Sequence, residues 1–468
     1  MMSVSQLHAC VTQYHLLLRP NGDESMALFI GVDDTDSATG MCTTYLLTEL
    51  IRELDFPVLL GFPRLVRLNP NIPWKTRGNG ALSMAIIGER SDAVPIGMIG
   101  GRRVMSSETP SSEAPCQEEV LEAASRVVER LAAFHDANTN PAVVVSKLRP
   151  DGQIYWKAVR ELVSDDMALH FLSEAGGIYR KWKSGRGIIG ATASISWVPR
   201  DRSYEIISYR QRERWGTARE VNAADSAKLS ALFPSTFSNY DPVNRHSCIA
   251  PASPCPVLFG IRGNDPSVLE SAMESVGSEP RDRWLIFETN QGTDDHITTP
   301  DGGLELFKSY FIRGTVAGMP RTTEGGHVFL ELTTSHGAIT CAAFEETKEF
   351  RNTVKQLIPG DIIDVWGSMK QGKIGITFNL EKMAVRALAK KLVKESNPSC
   401  PECGRRMHSA GSGAWYRCRA CGTRSTESVF REEERTVSPG LYSVAASSRR
   451  HLSRPPEREA VYVAGGSR

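Results

Sequence analysis

Apolar and polar positions change their period several times along the chain, and each change predicts an element. Leu28-Phe29-Ile30-Gly31-Val32 is a short, almost unbroken apolar run, the pattern of a strand buried on both faces. Leu46, Leu47 and Leu50 then recur at near-helical spacing and predict a helix over residues 42–53. Strands are predicted near 57–61 and over 81–87, with a loop rich in Pro, Asn and Gly between them. Residues 101–117 are rich in Ser, Glu and Pro and read as a flexible surface insertion. A long amphipathic helix over 117–135 and a buried strand at Val143-Val144-Val145 follow. Helix and strand alternate here, which is the signature of an α/β domain.

From about residue 166 the pattern is less regular. Strands are predicted near 191–197 and 204–209 and a helix at 267–275, a compact α+β unit. Residues 307–390 turn to period two, with runs at 309–315, 326–334, 338–344, 361–367 and 374–381 separated by glycine-containing turns. Five short strands with a helix at 345–357 predict a small closed barrel of OB-fold type. The fold class is thus multidomain α/β and α+β with a β-barrel and a cysteine module. The expected division is an extension at 1–25, an α/β domain at 26–165, an α+β domain at 166–305, the barrel at 306–392, the cysteine module at 397–430, and an Arg-rich tail at 431–468.

Composition narrows the class. The 468 residues suit three or four domains, and 41% hydrophobic with 23% charged residues is ordinary for a soluble globular chain. No run approaches the ~18 uncharged apolar residues of a membrane helix, so no membrane partner is expected. Residues 1–26 lack a signal peptide's apolar core, and Met26 is an alternative start. A net charge of +1 provides no global field for a polyanion, so a nucleic-acid partner has to be met by local basic patches. Four of the ten cysteines have a metal spacing and the others are scattered, which fits a reducing cytosol and a cytoplasmic protein.

The candidate chemistry lies in four places. Cys400-x2-Cys403 and Cys418-x2-Cys421 are two knuckles that can place four thiolates around Zn²⁺, with Gly404 and Gly422 where tight turns are needed. Such a site is closed and structural. Arg405, Arg406, Trp415, Tyr416, Arg417 and Arg419 surround it, and residues 400–468 hold twelve Arg against seven Glu. Arginines beside aromatics suit phosphate contact and base stacking. The tail adds Arg449, Arg450, His451 and Arg454. At the end of the first strand stand Asp33, Asp34 and Asp36, oxygen ligands suited to Mg²⁺ with phosphate; the alternative is an acidic turn that caps the next helix. Gly40-Met41-Cys42-Thr43-Thr44 then offers hydroxyls and backbone N–H groups at a helix start. Arg64, Arg67, Lys75 and Arg77 are cations in a proline-stiffened loop and suit a triphosphate or an RNA backbone; the alternative is a solvated basic loop. Gly185-Arg186-Gly187-x-x-Gly190 mimics a dinucleotide fingerprint, but Ala191 onward reads as a strand, which weakens it.

These residues, with Gly61 to Leu68, Lys75 to Gly80, Thr139-Asn140-Pro141, Pro254 to Gly263, Thr289 to Asp294, Gly325 to Val328 and Ala445 to Leu452, resemble the archaeal 2-agmatinylcytidine synthetases that act on the isoleucine tRNA with a CAU anticodon. The resemblance covers nearly all of the chain from Met26. It implies a kinase-like N-terminal domain, a ferredoxin-like domain, an OB-fold and a zinc ribbon. It also implies ATP, Mg²⁺ and Zn²⁺ as cofactors, with that tRNA and agmatine as partners and no DNA. ATP goes to AMP, phosphorylation activates the C2 oxygen of the wobble cytidine, and the agmatine amine displaces it, so that the tRNA reads AUA instead of AUG. Asp33, Asp34 and Asp36 are implied as handlers of Mg²⁺ and phosphate, and Thr43 as a phosphate-accepting threonine. Residues 1–25, 101–117 and His135-Asp136 depart from the family pattern. The competing class is a non-catalytic nucleic-acid-binding factor built from the OB-fold and the zinc ribbon.

Overall fold

The computed structural model describes residues 27–111, 115–372, 375–410 and 415–459; the predicted extension 1–25 and the end of the tail lie outside them. The chain divides into two compact units. One holds the chain as far as Phe311, Gly367–Gly375 and everything from Ser443 onward; the other holds Ile312–Trp366 and Ile376–Tyr442.

The first unit is built on one twelve-stranded sheet. Its first strand, Leu28–Asp33, lies antiparallel between Gly80–Ile87 and Ala142–Ser146, with Ile30 opposite Met84 and Val145. Leu28, Ile30 and Val32 pack with Leu46, Leu47 and Leu50 of the helix Thr43–Glu53 and with Val120 and Val127 of the helix Gln117–Leu131. Phe29 faces the other way, into a cluster with Ile188, Ala191 and Ile195. Both faces are covered, so the strand reads as a continuous apolar run. The sheet continues without a break into Ser203–Arg210, Val257–Gly263 and Arg281–Thr289. Arg64–Arg67 ties its two parts together: Leu65 lies opposite Leu82 in an antiparallel pair and opposite Thr289 in a parallel one.

Three sequence expectations are corrected. Residues 101–117 are not a surface insertion throughout, because Arg102–Ser107 is a strand of the sheet, paired with both Val94–Ile99 and Val58–Leu60. It follows a two-residue turn at Gly100 and Gly101, both at positive φ, a glycine hairpin signal that Ser and Glu nearby obscured. Residues 188–196 are a helix, Ile188–Ser196, not a strand. Nearly every residue of that helix is buried, so its apolar run carries no period to tell the two apart. Its small residues let it lie directly on the sheet: a Cβ on Gly31 would meet the Ala191 carbonyl oxygen at 2.2 Å. The tail is not a free basic arm. Leu452 is buried with Tyr155 and Trp197, and Arg454 and Arg458 both pair with Asp201, at 3.0 and 2.8 Å.

The second unit contains most of the barrel. Gly314 pairs with Thr334, Leu332 with Ile339, and Cys341 with Phe378. The strands Ser309–Val316, Val328–Thr334, Gly337–Ala343, Ile362–Gly372 and Gly375–Ala387 close in the spatial order first, fourth, fifth, third, second and back to the first. That is the five-stranded OB-fold, with the short helix Glu349–Val354 between its third and fourth strands.

Candidate active site

A cavity of about 380 Å³ opens in the first unit, where the ends of Leu28–Asp33 and Arg64–Arg67 meet the turn at Gly185–Gly187. One side is acidic. Asp33 is enclosed beside the first turn of the helix Ile188–Ser196, so close that a Cβ on Gly190 would lie 1.9 Å from its Oδ2. Glycine at 190 is thus what leaves room for this carboxylate. Burial, and then the neighbouring Asp34, push the Asp33 carboxyl well above its usual range. Asp34 takes a left-handed backbone with φ 59°, and its Oδ2 accepts from the Asn140 N–H at 3.2 Å. Burial raises its pKa to about 6, against the pull of the Arg186 guanidinium 3.7 Å away. Asp36 is used differently: its two oxygens accept from Thr76 Oγ1 at 2.8 Å and from Arg77 Nε at 2.8 Å. It anchors the basic loop to the acidic turn. Thr43 opens the helix Thr43–Glu53, and its hydroxyl accepts from Thr35 Oγ1 at 3.1 Å. Cys42 at the N-cap makes no side-chain cap bond, so Thr43 and Thr44 present a helix start to the cavity.

The opposite side is cationic. Arg67 lines the cavity, and its Nε is buried with no hydrogen-bond partner among the described residues. Burial is the largest cause holding its pKa, and that of Lys75, below the usual values. Asn290 fixes the Arg67 backbone, accepting from its N–H at 2.7 Å and donating to its carbonyl at 2.8 Å. Arg262 sits directly opposite Glu205 on adjacent strands, with Nε 3.3 Å from its carboxylate. His451, from the tail, completes the wall.

Of the eight acidic, hydroxyl and cationic residues singled out from sequence, seven line this one cavity. Arg64 does not. Strand alternation turns it away from Leu65 and Arg67, toward Glu288 at 3.1 Å and the Trp197 carbonyl at 2.8 Å. Sequence reasoning did not single out Glu205 and Arg262, gave His451 to a nucleic-acid-binding tail, and discounted the motif that holds Arg186. Glu205 and Arg262 had a signal, since a charged residue inside an otherwise apolar strand is rarely buried without a purpose. Arg186 belongs to the Gly185-Arg186-Gly187 motif, set aside because a strand was expected after it. The helix found there restores a close glycine turn, in which a Cβ on Gly187 would meet the Asp33 carbonyl at 2.7 Å. His135 and Asp136 lie outside the cavity lining, and Asp136 accepts from the Asn138 N–H at 2.9 Å.

The second unit carries the cysteine cluster. The four Sγ atoms of Cys400, Cys403, Cys418 and Cys421 lie within 4.8 Å of one another. Thiolates on a Zn²⁺ at ~2.3 Å need this spacing. The knuckles match each other: Gly404 N–H donates to the Cys400 carbonyl at 2.8 Å and Gly422 N–H to the Cys418 carbonyl at 3.0 Å, with both glycines at positive φ. Arg405, Arg406, Arg417 and Arg419 are exposed around the cluster, and Arg424 lies 4.9 Å over the half-buried Trp415 ring. Tyr416 is not available for stacking: it is buried, bonded to Ser428 and covered by Lys394.

Known families match the chain from residue 29 to residue 437. Residues 29–183 match the TiaS TCKD domain, 185–296 the TiaS FLD domain, 310–386 the OB-fold nucleic acid binding domain, and 397–437 the TiaS C-terminal zinc ribbon domain. The isoleucine-tRNA 2-agmatinylcytidine synthetase TiaS of Archaeoglobus fulgidus is 41% identical over 92% of this chain and 97% of its own, and that of Methanosarcina mazei is 38% identical over the same shares. A solved complex of TiaS with its isoleucine tRNA and ATP is 39% identical, with a TM-score of 0.78 over 92% of this chain and 97% of its own. A complex of TiaS with the same tRNA, AMPCPP and agmatine gives 37% and 0.77, over 92% of this chain and 96% of its own. On this identity, coverage and shared domain order, the chain belongs to the TiaS family of isoleucine-tRNA 2-agmatinylcytidine synthetases.

Proposed function

We propose that this chain transfers agmatine to C2 of the wobble cytidine in the CAU-anticodon isoleucine tRNA at the expense of ATP, which goes to AMP. The observation that carries the reading is a single cavity with two desolvated carboxylates on one side and a cationic wall on the other, in a chain with the family's full domain order. ATP loses two phosphoryl groups on its way to AMP: one passes to the cytidine C2 oxygen, and the other passes to water and leaves as phosphate. The agmatine amine then attacks C2, the C–N bond forms, the C2–O bond breaks, and the oxygen leaves with phosphate. A carbonyl oxygen is a poor leaving group and a phosphate is a good one, which is why the reaction consumes ATP.

The named residues divide this work. Arg67, Lys75 and Arg77 surround the transferring phosphates with Arg186 and Arg262. Asp33 and Asp34 fit a Mg²⁺ ion, because burial drives both toward their neutral forms and Arg186 opposes it only in part. Such an ion would offset the charge of phosphate oxygens held beside the two carboxylates. Thr43, at the helix start, lines the same cavity, which supports a phosphoryl-accepting role for its hydroxyl. The residues near 26–165 act as the kinase-like catalytic domain, with a ferredoxin-like domain at 166–305 supplying Glu205 and Arg262. The barrel and the zinc ribbon take the tRNA, through exposed arginines such as Arg405 and Arg417. A non-catalytic binding factor would have no use for two carboxylates desolvated inside a cavity.

The test is mass spectrometry of the CAU-anticodon isoleucine tRNA after incubation with the protein, ATP, Mg²⁺ and agmatine. The wobble cytidine is expected to gain one agmatine less one water, with one AMP formed per modified base. Unmodified tRNA under these conditions would refute the reading.

A further inference from the structure

The chain leaves the first unit at Phe311, belongs to it again over Gly367–Gly375 within the barrel, and after the ribbon re-enters it at Ser443. What it does on return is not the behaviour of a surface arm. Residues 450–458 lie as a strap on the loop 290–294. Gly292 N–H donates to the His451 carbonyl at 2.7 Å and Asp294 N–H to the Leu452 carbonyl at 2.8 Å. The strap answers with Arg454 N–H to Asp294 Oδ1 at 2.8 Å, Arg454 Nη2 to the Thr293 carbonyl at 2.7 Å, and Arg458 Nη2 to Asp201 at 2.8 Å. Its other neighbour is the basic loop, where Arg450 Nη1 donates to Asn71 Oδ1 at 2.8 Å. Leu452 is anchored in the core beneath.

Between these anchors His451 is exposed, while the residues on either side of it are half-buried or buried. It is one of the residues that line the cavity. Gly78 separates its ring from Arg67: a Cβ there would lie 2.9 Å from Arg67 Nη1 and 3.4 Å from His451 Nε2. The imidazole and the guanidinium thus face the same space. Two buried arginines of the strap hold His451 beside three cations, Arg67, Arg262 and Lys75, whose mutual repulsion an anion shared among them would offset.

We propose that the C-terminal strap is a nucleotide-binding element, with His451 a direct hydrogen-bonding ligand of an ATP phosphate beside Arg67. The inference rests on the reading of the cavity as the ATP site. The field of Arg67, joined by those of Arg262 and Lys75, keeps the free imidazole well below its usual range and so neutral. A neutral ring donates one hydrogen bond without adding to the repulsion among these cations. At this density of positive charge, that is the advantage of histidine over a further Lys or Arg.

The experiment is calorimetric titration of full-length protein with ATP and Mg²⁺, with the melting temperature of each variant measured alongside. One lost hydrogen bond to a charged phosphate is worth about tenfold to a hundredfold in Kd. H451A is expected to weaken ATP by that factor without lowering the melting temperature. H451Q, whose amide N–H replaces the Nε2 donor, is expected to recover most of it. R458A touches no cavity residue but unfastens the strap, and is expected to weaken ATP as H451A does. R67M reports on the cavity itself. If R67M loses ATP affinity while H451A binds as wild type does, the strap has no ligand role and this proposal is wrong. If R67M also binds as wild type does, the cavity is not the ATP site and the functional reading falls first.

Discussion

Replacing Asp34 with Asn should make the resting protein more stable and the enzyme inactive. Asp34 has a folded pKa of about 6 against 3.8 for the free side chain. A carboxyl whose folded pKa lies above its unfolded value holds its proton more tightly when folded, so its ionisation opposes folding. The cost is absent below about pH 3.8, grows through the interval, and is complete above about pH 6. Two pKa units at ~1.4 kcal/mol each set it at about 3 kcal/mol at pH 7.5 and roughly half of that at pH 5. Asparagine removes the charge and keeps the acceptor that faces the Asn140 N–H, and it tolerates the left-handed backbone at this position. D34N is therefore expected to melt several degrees above wild type at pH 7.5, with the gap narrowing toward pH 5. Mg²⁺ with ATP should raise the wild-type curve more than the D34N curve, since the missing countercharge is then supplied. The assay is thermal unfolding of both proteins at the two pH values, beside tRNA modification at pH 7.5. A D34N protein no more stable than wild type, or a gap that does not change with pH, would show that Asp34 is not held as a desolvated acid.

Three further outcomes follow from the same geometry. G190A should abolish modification while leaving most of the fold, because the new Cβ would lie 1.9 Å from Asp33 Oδ2 and force that carboxylate to move; ATP titration and circular dichroism separate the two effects. C418S should release zinc and weaken tRNA binding without changing ATP affinity, read by elemental analysis and filter binding. Excising only 397–430 should leave ATP binding intact, whereas deleting everything from 397 onward should lose it, since the second deletion also removes the strap; matching ATP affinity in the two proteins would refute this.

The parts of the molecule that could be read from sequence are those where local pattern and final environment agree. The first barrel strand, Ser309–Val316, alternates because one face meets the core and the other meets water. The zinc knuckles are legible because four thiolates and two glycines satisfy their geometry within a few residues. The acidic turn and the basic loop were legible as chemistry, and Asp36 with Arg77 shows why they belong together, although nothing in the spacing of residues 36 and 77 says that they touch. Where the reading failed, distant contacts decided the outcome. Ile188–Ser196 looked like a strand because its buried, small-residue surface leaves no polar face to set the period. Arg64 and Arg67 look equivalent as cations of one loop, yet strand alternation sends the first to Glu288 and the second to the cavity. The tail is the clearest case. Arg449, Arg450, His451 and Arg454 have the composition of a nucleic-acid arm, and composition records charge without its countercharge. Asp201, the carbonyls of 291–293 and Asn71 supply the partners, all more than 150 residues away in sequence. A basic cluster is therefore an RNA contact only where such partners are absent. In this chain that distinction makes the arginines of the tail anchors of the strap, while the arginines of the ribbon stay exposed.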